Sequence, residues 1–233
     1  MKILVVVATV AEIRPLLTAI GNQGILQERG LTSYTYKSLS VDILITGVGM
    51  VATAYHLGKV LALTPYRLAL NLGIAGSFNK HLAIGDLVNV YMDRFPEQGA
   101  QDGDSFLSLE DMNLVKANDF PFTAGVLINQ SIIENETLKN IPKVNGITVN
   151  KAHGNESSIE KTVGLYHPIT ESMEGAAFLY GCMMEGIPCA QIRAISNYVE
   201  RRNKNAWNIP LAIENLNQKA IAVLEDLKNY ENS

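Results

Sequence analysis

At 233 residues, 47% hydrophobic and 18% charged, the chain has a globular composition and enough apolar material for one sizeable core. A net charge of -4 and a pI of about 5.6, with no stripe of Lys and Arg, argue against a nucleic-acid backbone as a partner. Two cysteines, Cys182 and Cys189, match neither a disulfide framework nor a zinc pattern, and both are expected as small buried hydrophobes.

The N-terminus, MKILVVVATVAEIRP, has the apolar run of a weak signal peptide. It lacks a small-residue cleavage site, and Glu12 and Arg14 follow at once, so Ile3 to Val7 reads as a buried first strand. No run reaches the ~18 apolar residues of a membrane-spanning helix. A cytoplasmic protein without a membrane partner is expected. Further short apolar runs follow: VDILITG, RLALNLG, IGDLVNVY, TAGVLIN, GITVN and CAQIRAIS. Continuous apolar strands of this kind are covered on both faces. Helical spacing of apolar residues predicts helices over 50–63, closed by Pro65, over 171–185, closed by Gly186 and Pro188, and over 209–230, with Pro210 in its first turn. The alternation argues for a three-layer α/β/α sandwich around a central mixed sheet, with 1–233 as a single domain. The stretch FPEQGAQDGDSFLSLEDMN reads as a long ordered loop.

Two Gly-containing turns follow strands. TGVGMVA (46–52) fits the G-x-G-x-x-G/A dinucleotide form through Gly47, Gly49 and Ala52, in which glycines let phosphates approach a helix N-terminus. That form needs an acidic residue about 20 positions on, yet no Asp or Glu occurs from Ile43 to Gly85. A tight turn lining a pocket is the better reading. NLGIAGSF (71–78) is the second, and two such turns suggest a crevice at the carboxyl ends of the strands.

Five ordered blocks, ATVAEIRPL, TGVGMVATA, NLGIAGSFNKHLAIGDLV, ESMEGAAF and IRAISNYV, resemble those of the nucleoside phosphorylases and nucleosidases, most closely the methylthioadenosine/S-adenosylhomocysteine nucleosidases. DRFPEQGAQDGDSFLSL, TVNKAHGN and ISNYVERRNKNAWNIP resemble the futalosine hydrolase branch of that superfamily. The resemblance covers nearly the whole chain. It implies hydrolysis of the N-ribosidic bond of futalosine, with hypoxanthine released and the remainder entering an alternative route to menaquinone. It implies no cofactor and no metal, a small-molecule nucleoside substrate, and a homo-oligomer that is a dimer or dimer-based.

The residues have their own chemistry beside the resemblance. Cleaving an N-ribosyl bond needs a nucleophile below the sugar, anchors for its hydroxyls and support for the departing base. Glu12, otherwise a first-turn carboxylate suited to a helix dipole, becomes by resemblance the general base that activates water. Met173 and Glu174 match the ribose signature: two carboxylate oxygens meet two neighbouring hydroxyls, and Met173 packs on the sugar. Arg193, in an apolar strand, needs a buried charge partner, and the resemblance sets it near the water. Ala8, Val48, Ala75 and Gly76 match pocket-lining positions, and Ser196 orients the turn.

Asn197 falls where the adenine-acting nucleosidases carry Asp. An amide can donate to the 6-oxo group of hypoxanthine and accept from an N7 proton, whereas a carboxylate repels that oxygen. Asn71 falls where bacterial purine phosphorylases carry a phosphate-clamping Arg, which favours water as nucleophile. Ile74 replaces a Ser of the adenine nucleosidases. Trp207 matches an aromatic of the 5′ pocket, and Arg94, Arg201 and Arg202 are candidates to meet a carboxylate on a 5′ arm. His56, His81, His153 and His167 have no metal-like spacing; surface or core roles are expected, with His153 the one near the base site. A broader purine nucleosidase or phosphorylase, and a nucleoside- or NAD-binding module without turnover, remain as alternatives.

Overall fold

Strand β1 (Lys2–Val7) sets the frame by alternation of its side chains. In the computed structural model, which describes residues 1–21, 24–26, 30–103 and 105–231, Ile3, Val5 and Val7 point into one apolar cluster and Leu4 and Val6 into another. The first cluster is completed by Ile13 and Leu16 of α1 (Val10–Ile20) and by Ala212, Leu216, Val223 and Leu224 of α6 (Ile209–Glu231). The second takes Leu57 and Val60 of α2 (Met50–Leu61) and Phe178, Leu179 and Cys182 of α5 (Gly175–Met184). Helices thus cover both faces of the sheet, giving the three expected layers. Cys182 and Cys189 are free and buried, as small hydrophobes.

The sheet is mixed. β1 pairs in parallel with β4 (Leu39–Ile45) and β5 (Leu68–Ser77), and β5 pairs in parallel with β13 (Cys189–Tyr198). Near its end β5 also takes β12 (Thr170–Ser172), antiparallel. β12 runs parallel to β11 (Lys143–Thr148), β11 parallel to β6 (Leu87–Asp93), and β6 antiparallel to β13. The path β5-β12-β11-β6-β13 therefore closes on itself, and β1 and β4 extend from this ring.

Several expected elements differ. The helix predicted over 171–185 begins only at Gly175, because 170–172 are drawn into the sheet between β5 and β11. TAGVLIN is not one strand. β9 (Phe122–Thr123) and β10 (Val126–Ile128) form a hairpin whose turn, Ala124 and Gly125, has positive φ at both residues. The expected loop 95–113 contains a hairpin of β7 (Gly99–Asp102) and β8 (Ser105–Ser108), with Asp104 outside the described residues. Strand β3 (Leu31–Tyr36) and helix α4 (Glu156–Tyr166) had no clear apolar period.

Candidate active site

The parallel strands β1, β5 and β13 end side by side, and a cavity of about 500 Å³ opens there. Ala8, Glu12, Val48, Ala75, Gly76, Met173, Glu174, Ser196, Asn197 and Trp207 all line it. Arg193 does not; it is 1% exposed and lies beneath. A larger cavity of about 1070 Å³ is lined by Arg94, Phe106, Phe120, Tyr166 and Tyr180 among others, and holds none of the carboxylates that the chemistry needs to converge with Asn197. Size does not decide between them; the convergence of polar groups does.

Glu12 enters from the first turn of α1. Thr9 caps that helix: its backbone N–H and hydroxyl donate to Glu12 Oε2 at 3.0 and 2.9 Å, and the Glu12 N–H returns to Thr9 Oγ1. Glu12 Oε1 accepts from the Ile74 N–H at 3.3 Å. The turn is pinned from α6, where the Asn217 amide accepts from Leu16 N–H at 3.0 Å and donates to the Glu12 carbonyl at 2.8 Å. Burial pushes the Glu12 carboxyl above its ordinary value, and nearby Glu174 adds slightly; Thr9, Arg193 and the Ile74 N–H oppose the shift.

Arg193 shares a face of β13 with Gln191, opposite Gly73 and Asn71 of β5. Its guanidinium donates to Asn71 Oδ1, and Asn71 Nδ2 donates to the Val6 carbonyl at 3.0 Å. Asn71 is thereby committed to protein partners. Burial lowers the Arg193 pKa, and the charges of Glu174, Glu12 and Asp93 hold it up. Gly73 makes this approach possible. A Cβ there would sit 2.7 Å from Arg193 Nη1 and 3.3 Å from Glu12 Oε1.

Glu174 immediately precedes α5, yet its side chain makes no capping bond to that helix. Its Oε1 accepts instead from the Gly49 N–H at 2.9 Å. Gly49 has φ 98°, a left-handed value suited to glycine, and it caps α2. The Gly47–Gly49 turn therefore presents a backbone donor to a carboxylate of its own chain.

Asn197 sits on a bulge of β13: Ile195 pairs with Ala75 and Asn197 with Gly76, leaving Ser196 between. Its Oδ1 accepts from Ser196 Oγ at 2.8 Å and its Nδ2 donates to the Tyr198 carbonyl at 2.9 Å. One N–H and one lone pair of the amide remain. A Cβ on Gly76 would come within 3.2 Å of Asn197 Nδ2 and 2.9 Å of Val199 Cγ2, so the bare backbone gives the amide its room. Trp207 closes the segment after the bulge, which is tied back by Asn208 N–H to the Ser196 carbonyl at 2.9 Å.

The three arginine candidates separate. Arg94 lies over the Tyr166 ring, 5.0 Å from its centroid, in the other cavity. Arg201 is exposed and does not line the site. Arg202 does line it, with its guanidinium 5.4 Å from the Trp207 ring centroid.

His153, the histidine expected near the base site, lines the cavity, and so does Glu171, to which the sequence assigned no role. Glu171 accepts from the His153 N–H at 2.9 Å and from its Nδ1, and Nε2 meets Thr162 Oγ1 at 2.9 Å. Glu171 of β12 also pairs with Gly76 of β5, which places it on the far side of Gly76 from Asn197 of β13. The block TVNKAHGN contains His153 and the block ESMEGAAF opens on Glu171, its partner 18 residues further along the chain. Among the described residues no group of His, Cys, Asp and Glu is arranged to hold a metal ion.

No protein-family model matches the chain. It is 29% identical over 192 residues to the futalosine hydrolase of Acidothermus cellulolyticus, covering 79% of this chain and 75% of that one. Its fold matches the futalosine hydrolase of Helicobacter pylori with a TM-score of 0.79 at 17% identity, over 97% of both chains. It also matches the 5′-methylthioadenosine/S-adenosylhomocysteine nucleosidase of Neisseria meningitidis, solved with methylthio-immucillin-A, with a TM-score of 0.76 at 14% identity, over 96% of this chain and 98% of that one. The chain thus shares its fold with futalosine hydrolase and methylthioadenosine/S-adenosylhomocysteine nucleosidase structures, and in sequence it is similar to futalosine hydrolases.

Proposed function

We propose that this chain hydrolyses the N-ribosidic bond of futalosine, releasing hypoxanthine, the step that the menaquinone route built on futalosine requires. The observation that carries this reading is the state of the Asn197 amide. One N–H and one lone pair are spent on Tyr198 and Ser196, and one of each is left toward the cavity. That pair matches the O6 acceptor and the N7 proton of a departing 6-oxopurine.

The remaining roles follow from position. Glu12, buried and raised in pKa, takes the proton of the attacking water. Glu174, held by Gly49 N–H on one oxygen, accepts from the ribose hydroxyls, with Met173 against the sugar. Arg193 offsets the buried carboxylates from below. Water is favoured over phosphate because Asn71 is already occupied by Val6 and Arg193, and among the described residues Arg202 is the sole Lys or Arg on the cavity wall. Arg202, with its guanidinium over the Trp207 ring, takes the carboxylate of the 5′ arm.

In this reading residues 1–233 act as one nucleoside-binding domain in the cytoplasm, and as a homo-oligomer that is a dimer or dimer-based. Val51 and Tyr55 lie exposed one turn apart on α2, beside exposed Tyr180 and Met184 on α5, and exposed Val48 joins that surface to the cavity. The test is product analysis on futalosine, inosine and methylthioadenosine, with and without phosphate. Hypoxanthine and a free sugar from futalosine without phosphate support the reading. A sugar 1-phosphate that forms only with added phosphate assigns a phosphorylase instead, and ligand binding without base release assigns a binding module.

A further inference from the structure

Helix α5 is capped by residues of other strands, and this frees Glu174. The residue before a helix ordinarily satisfies the first N–H groups with its own side chain. Glu174 occupies that place and makes no such bond. The Gly175 N–H goes to Ser172 Oγ at 3.3 Å, and the Ala176 N–H goes to Thr148 Oγ1 at 2.7 Å. Thr148 passes its own proton to Asp93 Oδ2 at 3.1 Å. Asp93 is 1% exposed at the end of β6 and also accepts from Arg94 N–H at 2.8 Å and Gln191 Nε2 at 3.1 Å. Gly175 lets the helix rest on this carboxylate, since a Cβ there would come within 2.6 Å of Asp93 Oδ2 and 2.0 Å of Gln191 Nε2.

We propose that Asp93 and Thr148 are positioning residues for the nucleosidase reaction: together they stand in for the N-cap of α5, so that the Glu174 carboxylate is turned to Gly49 and the sugar rather than to its own helix. The relay N–H to hydroxyl to carboxylate brings a buried negative charge to the positive end of α5, where the helix dipole favours it. Without it the Ala176 N–H loses its acceptor, and Glu174, which holds the N-cap place of α5, is the residue positioned to turn back and supply one. The specificity for a ribose, rather than a 2′-deoxyribose, thus depends on a carboxylate buried behind the site. This inference rests on the nucleoside reading of the cavity.

The experiment compares inosine with 2′-deoxyinosine. Thr148→Val removes the hydroxyl with little change of shape, and Asp93→Asn removes the charge. Each is expected to lower the preference for inosine by about tenfold, the scale of one lost cap or hydrogen bond. In a Glu174→Ala background neither change should alter the ratio further, because the residue they position is gone. If Asp93→Asn fails to fold, Thr148→Val carries the test alone, with its melting temperature as control. An unchanged ratio in folded Thr148→Val, or an equal drop with Glu174 already absent, overturns the proposal. Calorimetric binding of the two nucleosides gives the same ratio without turnover. A chain that binds both and cleaves neither therefore sinks the hydrolase reading while still testing this one.

Discussion

Asn197→Asp changes almost no volume and removes both N–H donors of the residue. In the native chain one of them meets the Tyr198 carbonyl at 2.9 Å, and the other is the donor available to O6 of the base. An ionised Asp would replace Nδ2 by an oxygen that faces both that carbonyl and O6, two acceptors, with no proton to offer either. Each unsatisfied or opposed buried polar group costs about 1–3 kcal/mol. Two of them together give ~2–6 kcal/mol on a 6-oxopurine, or a loss of roughly 30-fold to 10⁴-fold in kcat/KM. Protonation of the Asp restores one donor, which suits N7, and leaves an oxygen to accept from a 6-amino group. Selectivity should therefore move from inosine or futalosine toward methylthioadenosine. The assay is base release from each substrate at several pH values, resolved into hypoxanthine and adenine. An Asp variant with the native ratio of 6-oxo to 6-amino turnover would refute the argument, because the base would then be read by other residues.

Glu12→Gln should lower turnover by about 10²- to 10⁴-fold while largely sparing ligand affinity, measured by single-turnover kinetics beside calorimetry. Glu12 must be ionised to accept a proton, and its pKa is raised from 4.5, so activity should rise with pH through a midpoint above 4.5. Native-like activity in the Gln variant would remove Glu12 from the general-base role. Gly73→Ala forces a Cβ to within 2.7 Å of Arg193 Nη1, and overpacking of this kind costs about 1–3 kcal/mol, visible as a lower denaturant midpoint together with lost activity. Arg202→Ala should weaken kcat/KM for futalosine about tenfold and leave inosine nearly unchanged, since inosine has no arm carboxylate. Equal losses on both substrates would assign Arg202 to the loop rather than to the arm.

The sequence made much of this site legible because its polar residues sit at ends of strands and helices with strong local signals. Glu12 follows an apolar strand, Glu174 precedes an apolar helix, and Asn197 ends an apolar strand. The cavity gathers them because β1, β5 and β13 run in parallel. Contacts made between distant segments left no local trace. Asn217, which pins the turn bearing Glu12, is 205 residues away along the chain. Glu171 read as the start of a helix because its spacing continues the pattern of α5, and only pairing on both edges reveals it as strand. Arg94 looked as suitable as Arg202 for an anionic arm, but the strands carry it to a different cavity. The hairpin at 99–108 is short and polar, so nothing in its apolar pattern marks it as strand.

The central claim is that water, activated at Glu12, attacks the sugar carbon of a 6-oxopurine nucleoside bound through Asn197. Its most direct test is cleavage of futalosine in heavy-oxygen water, with mass analysis of both products. The account predicts unlabelled hypoxanthine and one heavy oxygen on the anomeric carbon of the released sugar, formed without phosphate. An unlabelled sugar, a phosphorylated sugar, or futalosine recovered intact would contradict it.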